Sequence, residues 1–178
     1  MTESAIKQFK SYKSLGDKTF AALNEDEFYF THNPDDNSIA TIIKHMSGNM
    51  ISRWTNIFTE DGEKSWRNRD AEFVPEVLSK TELLEKWEKG WQTLFTTLES
   101  LDESDLTKII YIRNEAHTVE DAILRQLCHY AYHVGQIVFI GKMIKGKNWV
   151  SLSIPKGTSE QFNQQKRSEE KKKDDRHS

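Results

Sequence analysis

Residues 126–136 read Gln126-Leu-Cys-His-Tyr-Ala-Tyr-His-Val-Gly-Gln136, inside what reads as the last long helix. His129 and His133 stand four residues apart, so on a helix of 3.6 residues per turn both imidazoles leave one face, with Cβ atoms roughly 5 to 6 Å apart. One more donor from a neighbouring helix would complete three protein ligands and leave positions open for water or substrate. Whether another helix supplies that donor depends on what the chain places around this pair.

Working outward, Thr118 with Asp121 makes a capping-box-like start for this helix, although Asp is a weaker reciprocal partner than Glu or Gln. Lys142 and Lys145 stand at its negative end and Gly146 follows as the C′ residue. Upstream, Thr107-Lys-Ile-Ile-Tyr-Ile-Arg113 is β-rich and Asn114 to Ala116 can turn, which predicts a small hairpin closing on His117 and Thr118. Before it, Ser79 and Glu82 form a capping box for a helix carrying Leu83, Leu84, Trp87, Trp91, Phe95 and Leu98. The polar stretch 59–75, punctuated by Gly62 and Pro75, is expected to be a long ordered loop, a feature that is often functional.

A second helix is expected from a cap at Asp36 or Asn37 through Ile39, Ile42, Ile43, Met46, Met50, Trp54 and Phe58. A first helix is expected over residues 4–23 on Ile6, Phe9, Tyr12, Leu15 and Phe20, weakened at Gly16. Pro34 and a cluster of Asp and Asn separate the two. Beyond the last helix, 149–162 reads as an irregular arm able to lay Trp149, Leu152, Ile154 and Phe162 on the rest. Residues 164–178 hold no apolar side chain and are expected to be disordered. Four amphipathic helices predict an all-α bundle domain over 1–163 with a charged tail over 164–178. In such bundles metal sites form from side chains on facing helices.

At 178 residues and a formal net charge of −3, the chain fits one domain and lacks the concentrated basic surface of a nucleic-acid binder. The one cysteine, Cys128, has no internal partner and reads as a buried structural thiol. Neither a signal peptide nor an apolar run of roughly 18 residues is present, so a cytoplasmic protein without a membrane partner is expected.

The third donor is expected to be His45, which lies on or beside the apolar stripe of the second helix. The site would then be His45, His129 and His133. Three imidazoles suit zinc, nickel, iron or copper, and zinc or nickel is expected. Each histidine alone also fits a hydrogen-bonded core residue. His32, His117 and His177 fall in loop, cap and tail positions and read as surface residues. Arg125 precedes His129 by four, while Asn49 and Arg53 follow His45 by four and eight, which puts each on the face of a proposed ligand. Arg125 or Arg53 would orient an anionic substrate or cofactor, with Asn49 and Gln136 as hydrogen-bond partners. The competing reading has these groups tying the helices to the Arg67-Asn-Arg-Asp70 loop through salt bridges.

Gly48-Asn49-Met50 after His45, Arg53-Trp54, the 59–70 loop, the run from Arg125 to Gln136 and Leu152-Ser-Ile-Pro-Lys-Gly157 together resemble a bacterial branch of the DinB/YfiT-like superfamily of uncharacterised function. The resemblance covers the chain to about residue 163. It implies an up-down-down-up four-helix bundle with a divalent metal held by one histidine of the second helix and two of the last, and His45, His129 and His133 fall on those positions.

A metal so held lowers the pKa of a water or thiol ligand and generates a nucleophile at neutral pH. The resemblance extends to thiol transferases, in which a low-molecular-weight thiol such as bacillithiol or mycothiol attacks an electrophile, and to members proposed as metal-dependent hydrolases. Both act on a small-molecule substrate. A non-catalytic metal-binding or small-ligand stress protein would need the same three histidines. A third reading makes them structural and gives the work to a homodimer face.

Overall fold

Four long helices build the first of two compact units, Met1–Lys145: α1 (Thr2–Ala22), α2 (Ile39–Trp54), α3 (Lys80–Glu99) and α4 (Val119–Lys145). The structure is a computed structural model and describes residues 1–74 and 76–174. The chain is therefore mostly helical, as its apolar periodicity predicts. Among the described residues no helix is long and apolar enough to cross a membrane.

The helix starts follow local chemistry. Ser79 caps α3 in a reciprocal box, its hydroxyl accepting from the Glu82 N–H while the Glu82 carboxylate accepts from the Ser79 N–H at 2.7 Å. Such a cap contributes about 1 kcal/mol. For α2 the cap is Ser38, which accepts from the Thr41 N–H at 3.2 Å, and not Asp36 or Asn37. Nor does α2 reach Phe58. Thr55 turns to extended backbone and Asn56 takes a φ of 50°, while the Thr97 hydroxyl donates to the freed Trp54 carbonyl at 2.7 Å. Helix α1 runs unbroken through Gly16.

α2 packs on α3 and α1 on α4, with α2 against α4 and α1 against α3 completing the set. An aromatic cluster of Phe9, Phe20, Trp87, Trp91 and Tyr130 fills the centre, each ring fully buried. Its rings meet edge-on or tilted, Phe20 to Trp87 at 5.0 Å and Trp87 to Trp91 at 5.3 Å between centroids. Such pairs add roughly 0.5–1.5 kcal/mol each beyond the area they bury.

The expected hairpin is present as β1 (Ile109–Ile112) and β2 (Glu115–Thr118), antiparallel with Ile109 opposite Thr118. Ile110 and Ile112 face inward and Ile109 and Tyr111 outward, the alternation a half-buried strand requires. Arg113 and Asn114 make the turn at φ of 54° and 64°, the positive pair of a two-residue type I′ connection. The loop of residues 55–74 is fastened beneath this hairpin. Asp61 accepts from the backbone N–H groups of Glu63, Arg113 and Asn114, Gly62 donates to the Tyr111 carbonyl at 2.8 Å, and Ser52 donates to the Gly62 carbonyl at 2.9 Å. The loop is therefore ordered, as its polar residues and Gly62 predict, while Pro75 lies outside the described residues.

Cys128 is exposed, contrary to the buried thiol expected. The buried positions of α4 include Gln126, Tyr130, His133 and Ile137, and residue 128 points away from that stripe. In the second unit, which begins at Gly146, α5 spans Ser159–Asp174, across much of the tail expected to be disordered. Its residues are good helix formers, and Gln165 donates to Glu169 one turn on at 2.9 Å, so local propensity and i, i+4 pairing form this helix without an apolar stripe. His177 lies outside the described residues.

Candidate metal centre

His45 from α2 and His129 and His133 from α4 converge where these helices pack. One ring nitrogen from each lies within 4.8 Å of the others. The ring centroids are 5.5 Å apart for His45 and His129, 5.0 Å for His45 and His133, and 4.8 Å for His129 and His133. The pair at i and i+4 and its expected partner on another helix are thus brought together.

Each ring has its Nδ1 occupied by an acceptor. Gln126 Oε1 lies 3.2 Å from His129 Nδ1 and Gln136 Oε1 lies 2.8 Å from His133 Nδ1. Glu72 Oε2 lies 2.9 Å from His45 Nδ1. An acceptor at Nδ1 puts the ring proton there and leaves Nε2 as a bare lone pair, the arrangement that orients metal-binding imidazoles. His129 Nε2 and His133 Nε2 then face each other at 3.2 Å as two acceptors with no proton between them. Two nitrogens bound at about 2.05 Å on a tetrahedral ion sit about 3.3 Å apart. The donor set fits a divalent ion.

Electrostatics agree. Burial holds His129 down to about 3, helped by His133, His45, Arg53 and Arg67. Burial likewise brings His133 down to about 4, against the bond to Gln136. Both are neutral at pH 7 and ready to ligate. Burial pushes the Glu72 carboxyl up, but bonds from His45 and Arg67 outweigh it and hold the group below its ordinary value. Arg67 grips both Glu72 oxygens, through Nε at 2.8 Å and Nη2 at 2.9 Å. Glu72 reaches His45 only because residue 48 is glycine: a Cβ there would overlap the Glu72 carboxylate.

Beside the histidines lies a cavity of about 240 Å³. Asn49, Arg53 and Arg125 line it together with His45 and His129. Asn49 is buried and its Oδ1 accepts from the Tyr130 hydroxyl at 2.9 Å, and that hydroxyl accepts from Trp54 Nε1 at 3.2 Å. Arg125 is exposed, with His117 Nε2 3.3 Å from its Nη1. Gln136 is not on this cavity. Beyond its bond to His133 it lines a larger cleft of about 530 Å³ with Ile42, Phe139 and Met143. The expected salt bridge from Arg53 to the 67–70 loop does not form among the described residues. Arg67 ties that loop to the site instead. Glu72 and Gln126 escaped sequence reading, and Arg67 entered it only as part of the loop expected to pair with the helices. Gln126 carried a usable signal, three residues before His129 on the same helix, whereas Glu72 and Arg67 sit in a loop with no periodicity to place them.

The fold and site define a mostly helical protein with a tri-histidine cluster able to hold a metal ion. The chain belongs to the family described as protein of unknown function (DUF1572), whose model matches residues 1–158. Among solved structures it is similar to the crystal structure of the conserved protein of locus from Enterococcus faecalis. The two share 16% identity at a TM-score of 0.65, over 82% of this chain and 98% of that one. That likeness is one of fold. No curated protein matches the chain.

Proposed function

We propose that the protein is a cytoplasmic, DinB-like four-helix-bundle protein of up-down-down-up topology that binds a divalent metal, zinc or nickel. It acts as a metal-dependent thiol transferase on a small-molecule electrophile. The observation that carries the metal reading is that each of the three histidines has its Nδ1 facing an acceptor, with His129 and His133 turning Nε2 to one point. A divalent ion held there supplies Lewis acidity that makes a thiol or water ligand more acidic.

The chain's own residues then have distinct tasks. His45, His129 and His133 hold the ion, Glu72, Gln126 and Gln136 fix their rings, and Arg53, Arg125 and Asn49 line the space where substrate is bound. The sulfur of a low-molecular-weight thiol forms the bond to the electrophilic carbon, the leaving group departs with its electron pair, and the thiol proton passes to solvent. Among the described residues no carboxylate lines the cavity, and Glu72 is engaged by His45 and Arg67, so the nucleophile is a thiol or, in the alternative hydrolytic reading, a water made acidic by the ion.

Elemental analysis of protein purified without an affinity tag tests the metal. Stoichiometric zinc or nickel, lost in His129→Ala, is expected, and clearly substoichiometric metal with both ions supplied would sink the site. Bacillithiol, glutathione and coenzyme A are then assayed against monochlorobimane, beside an ester and amide panel. Turnover with a thiol that disappears in His129→Ala supports the transferase. Ester or amide cleavage makes the protein a hydrolase, and loaded protein without turnover in any arm makes it a non-catalytic binder.

A further inference from the structure

Five arginines, Arg53, Arg67, Arg69, Arg113 and Arg125, line the cavity beside the histidine cluster, with no carboxylate in the lining. Three carboxylates pair with them: Glu72 and Glu63 hold Arg67, Glu63 also reaches Arg113 at 3.4 Å, and exposed Asp70 lies 3.8 Å from Arg69. Arg53 and Arg125 have no carboxylate partner among the described residues. The wall therefore carries two positive charges that no carboxylate pairs.

Arg53 is the more telling of the two. It is only 5% exposed, and its Nε and Nη1 are buried with no hydrogen-bond partner among the described residues. Burial, with Arg125 and Arg67 nearby, lowers its pKa, although Tyr130 and Glu63 oppose this. Two guanidinium nitrogens buried without a partner are costly to a fold. The chain nevertheless makes room for it. Gly62 closes over the side chain, and a Cβ there would sit 3.0 Å from Arg53 Cδ and 3.1 Å from Nη1. A side chain so placed is kept for a ligand, because a planar donor fork matches an oxyanion with two parallel bonds.

We propose that this cavity seats a doubly charged oxyanion group of the substrate, bridged between Arg53 and Arg125, with the substrate's reactive end directed to the histidine cluster. Its chemistry is that of a phosphoryl group or a dicarboxylate. A volume of about 240 Å³ holds roughly eight waters' share of liquid, so the occupant is a compact metabolite-sized anion and not a polymer. The assignment rests on the proposed metal reading only for what happens at the reactive end.

The test is calorimetric titration of the whole chain with inorganic phosphate and with succinate at neutral pH and constant ionic strength, with acetate as the singly charged control. Phosphate or succinate is expected to bind at least tenfold more tightly than acetate. The stronger of the two assigns the phosphoryl or the dicarboxylate source. Arg125→Gln, at an exposed position, is expected to weaken binding of that dianion about tenfold without moving the melting temperature of the ligand-free protein. Arg53→Met is expected to abolish binding and to raise that melting temperature by about 3 °C, since an uncompensated buried charge is replaced by an apolar chain. A purely structural Arg53 would lower it. Equal affinity for acetate, or unchanged dianion binding in both variants, overturns the seat. Metal content measured on the same samples separates the two ideas. Arginine-dependent dianion binding with substoichiometric metal would sink the metal reading alone, and stoichiometric metal with arginine-independent binding would sink the seat alone.

Discussion

Helix α2 is buried on nearly all sides, yet its two seams differ in kind. Towards α3 it presents closely packed groups, with the Ser47 hydroxyl donating to the Lys86 carbonyl at 2.6 Å and Met50 fully buried near Gly90. Towards α4 it presents His45, Asn49 and Arg53, one turn apart each, with Asn49 Oδ1 accepting from the Tyr130 hydroxyl and the His45 ring 5.0 Å from that of His133. The contrast shows one helix dividing its labour by face: burial against α3 stabilises the molecule, while polar groups that burial penalises are held against α4.

That division has consequences that can break it. The largest concerns the core: Trp87→Ala on α3 should cost about 3–5 kcal/mol in denaturant unfolding, while the fraction that stays folded binds metal normally. Loss of metal capacity in that folded fraction would show that the seams are not separable. A smaller effect comes from pH. His129 and His133 have folded pKa values depressed to about 3 and about 4, so between those values and 6.5 the unfolded chain binds more protons than the folded one. Stability of the metal-free protein should therefore fall as pH drops from 7 to 4, by about 2 kcal/mol after allowance for partial exposure. His133→Ala, measured the same way, should flatten part of that slope; an unaltered slope would assign it to the carboxylates. The smallest effect sharpens the picture at one bond. Glu72→Gln keeps an acceptor near His45 but removes the charge, and should weaken metal binding about tenfold in a competition titration with a chelator.

Much of this is legible in the sequence alone, and for local reasons. The α3 capping box, the hairpin and the histidine spacing are encoded within a few neighbouring residues, where periodicity and capping chemistry act. His45 could be proposed because a polar ring on an apolar stripe is conspicuous. What could not be read depends on distant chain. Nothing near Trp54 announces that Thr97 will stop α2 there. Glu72 becomes a ligand's partner only after the loop folds back over Gly48, and Arg53 is left unpaired while Arg67 bonds to Glu63 and Glu72. Cys128 was misplaced by a single helical step, since apolar neighbours in sequence are not neighbours on a helix face.

Asp61 joins two pieces of backbone that are far apart in the chain. Its carboxylate shields the amides of Arg113 and Asn114 at the hairpin tip and of Glu63 at the head of the loop. Turn amides ordinarily trade their hydrogens with water first, because no ladder covers them. Here one side chain covers three at once, so those three amides should exchange together, and Asp61→Ala should release all of them.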